Sequence, residues 1–184
     1  AATVDGGDDT DYLTAATATA SVDIDLRNAD ATRTFCANIE HVTGSSYDDV
    51  LRGTSGAETL VGGAGNDALW GAAGADSLEG GAGTDSYWFG GADGNDTIVY
   101  STMNSTDYVV FSSINGQQIG GADLKTVETS GDDLVVTLST DDTLTLTGWN
   151  SGTSGTKLNK FNFGDNGNYS LAFTDGVAAW TKIS

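Results

Sequence analysis

The chain has 184 residues, and its 26 acidic against 7 basic residues give a net charge of −19. A surface of that sign repels phosphate backbones and anionic lipids, which argues against nucleic acid or membrane as partner, and it strains a compact fold unless cations neutralise it. Cys36 is the sole cysteine, so an intramolecular disulfide is excluded, and for a protein outside the cell a metal is the expected staple.

The 26 glycines would suit a flexible linker, but 38% hydrophobic and 9% aromatic residues are enough to bury a core. The absence of proline fits uninterrupted strands. Nothing reads as a signal peptide, and no apolar stretch approaches the ~20 residues of a membrane span. The sequence opens inside a motif, Asp5-Gly6-Gly7-Asp8, and is expected to be cut from something longer.

From Gly44 the chain divides without a gap into nine-residue blocks: GSSYDDVLR, GTSGAETLV (from Gly53), GGAGNDALW (from Gly62), GAAGADSLE (from Gly71) and GGAGTDSYW (from Gly80). After Phe89 and Gly90 a sixth block, GADGNDTIV, starts at Gly91. Position one is always Gly. Position six holds Asp49, Glu58, Asp67, Asp76, Asp85 and Asp96, and position eight holds Leu51, Leu60, Leu69, Leu78, Tyr87 and Ile98. Gly-Asp turns of ordinary hairpins account for one or two such blocks, but not for five in unbroken register.

Glycines at positions one, two and four admit positive φ and let carbonyls come close together. The acid at position six then closes the turn onto a hard cation, and the last three residues form a short strand. Alternation turns the position-eight side chain inward onto its equivalents in later turns, and two blocks make one coil. Calcium accepts about six to eight oxygens at roughly 2.3–2.6 Å, so a turn of carbonyls with one carboxylate supplies half a shell. No D-x-[DN]-x-[DN]-G loop with a distal Glu is present, against an EF-hand, and magnesium prefers rigid octahedra with retained water.

These blocks resemble the repeats-in-toxin (RTX) nonapeptide region of exported toxins, metalloproteases, lipases, alginate epimerases, adhesins and S-layer proteins. The resemblance implies an all-β fold, a right-handed parallel β-roll that binds calcium, followed by a β-rich C-terminal domain. It also implies calcium between turn n and turn n+2, held by carbonyls of positions two and four plus the acid of the first turn, and by carbonyls of positions one and three plus the acid of the second. Carried over, one site joins Gly63, Gly65 and Asp67 to Gly80, Ala82 and Asp85, and another joins Ala72, Gly74 and Asp76 to Gly91, Asp93 and Asp96. A third joins Ser45, Tyr47 and Asp49 to Gly62, Ala64 and Asp67. A fourth joins Thr54, Gly56 and Glu58 to Gly71, Ala73 and Asp76. The pattern departs at the first block, which lacks Gly at positions two and four, at Glu58, and at the insertion before Gly91.

The flanks resemble the family too. GGDDTDYL (from Gly6) is similar to a degenerate repeat with Asp11 at position six and Leu13 at position eight, followed by an insertion from Ala15 to Asn38 that carries the strand-like ASVDIDL. ANIEHVTGSSYDDVL (from Ala37) resembles the re-entry into the roll. Downstream, DYVVF, GDDLVVTL, TLTLTGW and KLNKFNFGDNG resemble the β-rich domain that follows such repeats. The expected division is 1–43 for the degenerate repeat and insertion, 44–100 for the roll and 101–184 for the C-terminal β domain.

No catalytic constellation is evident. With His41 as the only histidine, H-E-x-x-H zinc chemistry is excluded within this chain, and His41 reads as a strand residue. Cys36 lacks a base partner and reads as a small buried residue; there is no G-x-S-x-G elbow. Trp70, Trp88, Trp149 and Trp180 suit a sugar-stacking surface or, more commonly, packing against the C-terminal domain. The resulting expectation is a non-enzymatic, calcium-dependent folding module of a secreted bacterial protein, with a type I secretion exporter as partner. The alternatives are a structural or adhesive segment of an S-layer or surface protein, with self-assembly or glycan contact, and the non-catalytic tail of a secreted enzyme.

Overall fold

The computed structural model describes residues 3–27, 35–99, 106–114, 117–118, 123–149, 160–163, 168–174 and 177–183. Among them there is no α-helix. The chain enters through β1 (Thr3–Asp5), β2 (Tyr12–Thr14), β3 (Asp23–Asp25), β4 (Phe35–Ala37) and β5 (His41–Thr43). The nonapeptide blocks supply β6 (Val50–Arg52), β7 (Thr59–Ala64), β8 (Ala68–Trp70), β9 (Ser77–Ala82), β10 (Ser86–Phe89) and β11 (Asn95–Ile98). Next come β12 (Tyr108–Phe111), β13 (Ser113–Ile114), β14 (Gln117–Gln118) and β15 (Leu124–Ser130). The last five are β16 (Asp133–Leu138), β17 (Thr143–Leu146), β18 (Lys160–Asn162), β19 (Asn168–Thr174) and β20 (Val177–Lys182).

Two eight-stranded sheets hold most of these strands, in the orders β2-β5-β7-β9-β11-β17-β16-β15 and β3-β6-β8-β10-β12-β18-β19-β20. Successive blocks feed the two sheets alternately. The pairing is parallel from β2 to β17 in the first sheet and from β3 to β18 in the second, which makes a parallel β-roll. Each sheet then ends in antiparallel strands. Apart from the β13–β14 pair, the described strands after residue 100 therefore extend the same two sheets.

The strands form because their middle residue is large and apolar while its neighbours tolerate the outer face. Leu51, Leu60, Leu69 and Ile98 have no exposed surface, and Leu78 and Tyr87 only 1%. Register stacks them into two columns: Val42, Leu60, Leu78, Ile98 and Leu146 in one sheet, and Leu51, Leu69, Tyr87, Val109 and Phe161 in the other. Both columns belong to one core cluster. Each such side chain contributes roughly 1.5–3 kcal/mol by leaving water. The inserted Phe89 lengthens β10 and sits edge-on to Phe111, which stacks in turn on Phe163 at 4.9 Å. Beyond the blocks, Leu134, Val136 and Leu138 share one buried face of β16, as their alternation requires.

Tyr87 is the one polar member of the columns, and its Oη accepts the Gly80 N–H at 3.0 Å. Tyr87→Phe keeps the ring but strands that buried donor. It is expected to lower stability in saturating calcium by about 1–3 kcal/mol, read as a shift of the urea midpoint at unchanged slope.

Candidate metal centre

Positions six and eight of a block lie two residues apart at the start of a strand, so both point inward. The acid therefore lies at the buried edge of the roll, where the turn begins. Because the strands are parallel and in register, acids of alternate blocks stack. On one edge the Asp49 N–H donates to Asp67 Oδ1 (2.8 Å), Asp67 N–H to Asp85 Oδ1 (2.9 Å) and Asp85 N–H to Asp107 Oδ1 (2.9 Å). On the other, Asp11 N–H donates to Glu40 Oε2 (2.9 Å), Glu58 N–H to Asp76 Oδ1 (2.8 Å) and Asp76 N–H to Asp96 Oδ1 (3.1 Å).

Each ladder bond uses one carboxylate oxygen. The Oδ2 atoms of Asp11, Asp67, Asp76, Asp85 and Asp96 are buried with no hydrogen-bond partner. Unpaired buried carboxylate oxygens are costly and call for a cation. The turn backbone is shaped to the same end. A methyl group on Gly62 would fall 2.3 Å from Asp67 Oδ2 and 2.6 Å from the Gly80 carbonyl oxygen, so only a bare Cα lets these two oxygens converge. At Gly44 the same holds for Asp49 Oδ2 and the Gly62 carbonyl, at 2.5 and 2.4 Å. A donor set of carboxylate and carbonyl oxygens suits a hard cation, and calcium fits these residues. No three His, Cys, Asp or Glu side chains converge among the described residues, so each position must draw on backbone carbonyls as well.

All four pairs of turns expected from the sequence are stacked on one another. Gly65 N–H donates to Ala82 O at 2.8 Å, with Gly63 opposite Gly81 and Ala64 opposite Ala82, which brings Gly63, Gly65 and Asp67 against Gly80, Ala82 and Asp85. Gly74 N–H donates to Asp93 O at 2.8 Å, joining the turn of Ala72, Gly74 and Asp76 to that of Gly91, Asp93 and Asp96. Ala64 N–H reaches Ser45 O at 3.4 Å, and Ala73 N–H reaches Thr54 O at 3.0 Å, for the two remaining pairs. These bonds leave each carbonyl its second lone pair. Ala72 and Ala92, at position two where glycine is usual, are held at φ 70° and 76°.

The first two blocks differ in a way the missing glycines explain. Ser45 and Thr54 stand at position two, and their hydroxyls turn back onto the acid four residues on. Ser45 donates from its N–H to Asp49 Oδ2 and from Oγ to Oδ1 (2.9 Å). Thr54 donates from its N–H to Glu58 Oε2 (2.9 Å) and from its hydroxyl to Oε1. Asp49 and Glu58 are thus satisfied by protein donors, unlike the acids that follow Gly63, Ala72, Gly81 and Ala92.

Without a cation beside them, burial drives the ladder acids toward the neutral form. It pushes Asp67 and Asp76 up to about 6 and Asp96 up to about 8, and raises Asp85 as well; outside the ladders it also raises Asp93, at position three of its turn.

Two ladder acids escaped the glycine-based reading, Glu40 and Asp107. Glu40 immediately precedes β5 in a block without glycine at position one, Phe35 to Thr43; Asp107 immediately precedes β12 at a spacing of 22 rather than 18 residues from its ladder partner. The signal that does find them is an acid two residues before a large apolar residue, Glu40-His41-Val42 and Asp107-Tyr108-Val109. His41 is a strand residue whose ring stacks on Tyr12 at 4.5 Å. Cys36 is half-buried rather than buried, and burial raises its thiol. The tryptophans divide: Trp149 is buried, Trp70 lies under the Arg27 guanidinium with Nε1 donating to Asp93 Oδ2 at 3.3 Å, and Trp88 is 41% exposed on the outer face. The Trp180 side chain lies outside the described residues.

Residues 38–67 and 52–87 match the family model of the RTX calcium-binding nonapeptide repeat (4 copies). No curated protein matches the sequence.

Ser45→Gly and Thr54→Gly free Asp49 and Glu58 from their hydroxyl donors. Each is expected to raise calcium affinity of its site about five- to tenfold, the worth of one hydrogen bond, by calorimetric titration. The raised carboxyls fix a pH dependence as well. A carboxyl whose folded value exceeds its unfolded value stabilises the fold fully below the unfolded value, about 4, and that contribution is lost as pH rises through the folded one. In chelator, acidification from about pH 8 to about pH 5 should therefore increase β-structure by circular dichroism, whereas in calcium the same change should weaken binding as protons compete for the ligands.

Proposed function

From the RTX calcium-binding repeats at residues 38–87, we propose that this chain is a calcium-dependent folding module of a protein exported by a type I secretion system and working outside the cell. The observation that carries this reading is the pair of carboxylate ladders with one buried, unpartnered oxygen per acid at Asp67, Asp76, Asp85 and Asp96. Bound calcium supplies positive charge and oxygen-directed coordination where the chain itself has none. At low cytosolic calcium the ladder acids repel one another when ionised, and the glycine-rich turns are entropically costly to order. Ordering is then linked to metal, as in other small metal-stapled domains. Affinities of about 10⁻⁴–10⁻³ M, typical of extracellular modules, would keep the module open inside the cell and closed outside.

Within this reading residues 44–100 hold the metal, residues 1–43 lead into the roll, and residues 101–184 cap it. The catalytic work of the parent protein, if it is an enzyme, belongs to other parts of that protein. One observation favours a second reading, a structural or adhesive segment of a surface protein. Trp88 stands exposed beside a shallow groove lined by Val50, Arg52, Ala68 and Trp70 on the outer face. That surface would serve self-assembly or glycan contact.

Far-UV circular dichroism of the chelated protein during a calcium titration, with magnesium as control, tests the leading proposal. The expected result is a cooperative gain of β-structure near millimolar calcium and none with magnesium. A chain already folded in chelator and indifferent to calcium would refute it.

A further inference from the structure

We propose that the ladder of Asp49, Asp67 and Asp85 carries one more calcium position, between Asp85 and Asp107, past the end of the matched repeats; the inference rests on the calcium reading above. The sequence hides it, because Asp107 follows Asp85 by 22 residues and no glycine pattern precedes it. The fold restores the register. β12 pairs with β10 in parallel, Ser86 opposite Tyr108 and Tyr87 opposite Val109, which places Asp107 beside Asp85 as Asp85 lies beside Asp67.

The contacts repeat those inside the blocks. Asp107 Oδ1 accepts the Asp85 N–H at 2.9 Å, the same length as the bond from Asp67 N–H to Asp85 Oδ1. Neither Asp85 nor Asp107 has exposed surface, and Asp85 Oδ2 has no partner. A second, outer ladder runs through position five of the same turns and crosses the same boundary. Asn66 N–H donates to Asp48 Oδ1 (2.7 Å), Thr84 N–H to Asn66 Oδ1 (2.9 Å), and the Thr84 and Thr106 hydroxyls bond at 2.8 Å. Thr106 and Asp107 therefore stand in register with positions five and six of the preceding blocks. The ligands this position would draw on are the carboxylates of Asp85 and Asp107 with the carbonyls of Gly81 and Gly83, the counterparts of Gly63 and Gly65 one coil earlier; the Gly83 carbonyl also accepts the Thr106 hydroxyl at 3.4 Å. The opposite edge offers no equivalent, since the strand partner of Asp96 is Leu144.

The test counts calcium bound per chain by native mass spectrometry for the wild type, Asp107→Asn and Asp67→Asn, each confirmed folded by circular dichroism in saturating calcium. Asp107 touches one position and Asp67 two, so the expected losses are one ion for Asp107→Asn and up to two for Asp67→Asn. An unchanged count for Asp107→Asn, with ions lost from Asp67→Asn, overturns this site and leaves the calcium reading standing. No calcium on the wild type overturns both. If Asp107→Asn does not fold, anomalous diffraction from calcium-grown crystals of the unmutated protein decides: a peak between Asp85 and Asp107 supports the site, and its absence beside a peak between Asp67 and Asp85 overturns it.

Discussion

The rest of this structure depends on acids stacked in register at the edge of a parallel roll; Asp67, Asp76, Asp85 and Asp96 each have one oxygen satisfied by the N–H of the coil before and the other buried without a partner. Inside a sheet the backbone N–H of Asp67 finds its acceptor in the side chain of Asp85, and that of Asp76 in Asp96. The carboxylates thereby do part of the work of strand pairing. Removing the negative charge from this arrangement needs either protons or cations, and burial pushes Asp96 furthest toward the protonated form, up to about 8.

The coupling between charge and core is geometric. An acid at position six and a large apolar residue at position eight are separated by two residues, so one pleat buries both. Asp67 with Leu69, Asp76 with Leu78 and Asp96 with Ile98 enter the interior together. The hydrophobic column cannot close while its acids repel, and the acids cannot withdraw without opening the column. On the proposed function, this coupling within the nine-residue period is what would link folding to calcium.

Much of this was legible because the period is visible as letters: Gly at one, acid at six, apolar at eight. The inward columns and the two-block coil needed nothing more, whereas the pairs of turns came from the resemblance. The serine and threonine at position two were legible as departures, but not as the donors that satisfy Asp49 and Glu58, since that depends on a side chain folding back onto its own turn. Glu40 and Asp107 were missed because no glycine stands at position one ahead of them, and before Glu40 the positive φ at position four is taken by Asn38 (51°), whereas the acid-x-apolar signature persists in both. The sequence suggested a β-rich C-terminal domain after the roll, but not that backbone register carries β12 and β17 directly onto β10 and β11.

The way the roll ends explains why it stops where it does. On one edge the strand after Asp96 places Leu144 at the ladder position, with Leu146 behind it, so the polar edge turns apolar in a single step. The next pairing, β16 on β17, reverses direction and brings Leu134 and Val136 opposite Leu146 and Leu144. On the other edge acids persist to Asp107, and beyond them Phe111, Phe161 and Phe163 close the interior with stacked rings. An open parallel roll exposes both its last carboxylates and its last apolar layer. Antiparallel hairpins seal the second with side chains that need no cation, which leaves the buried carboxylates to the coils.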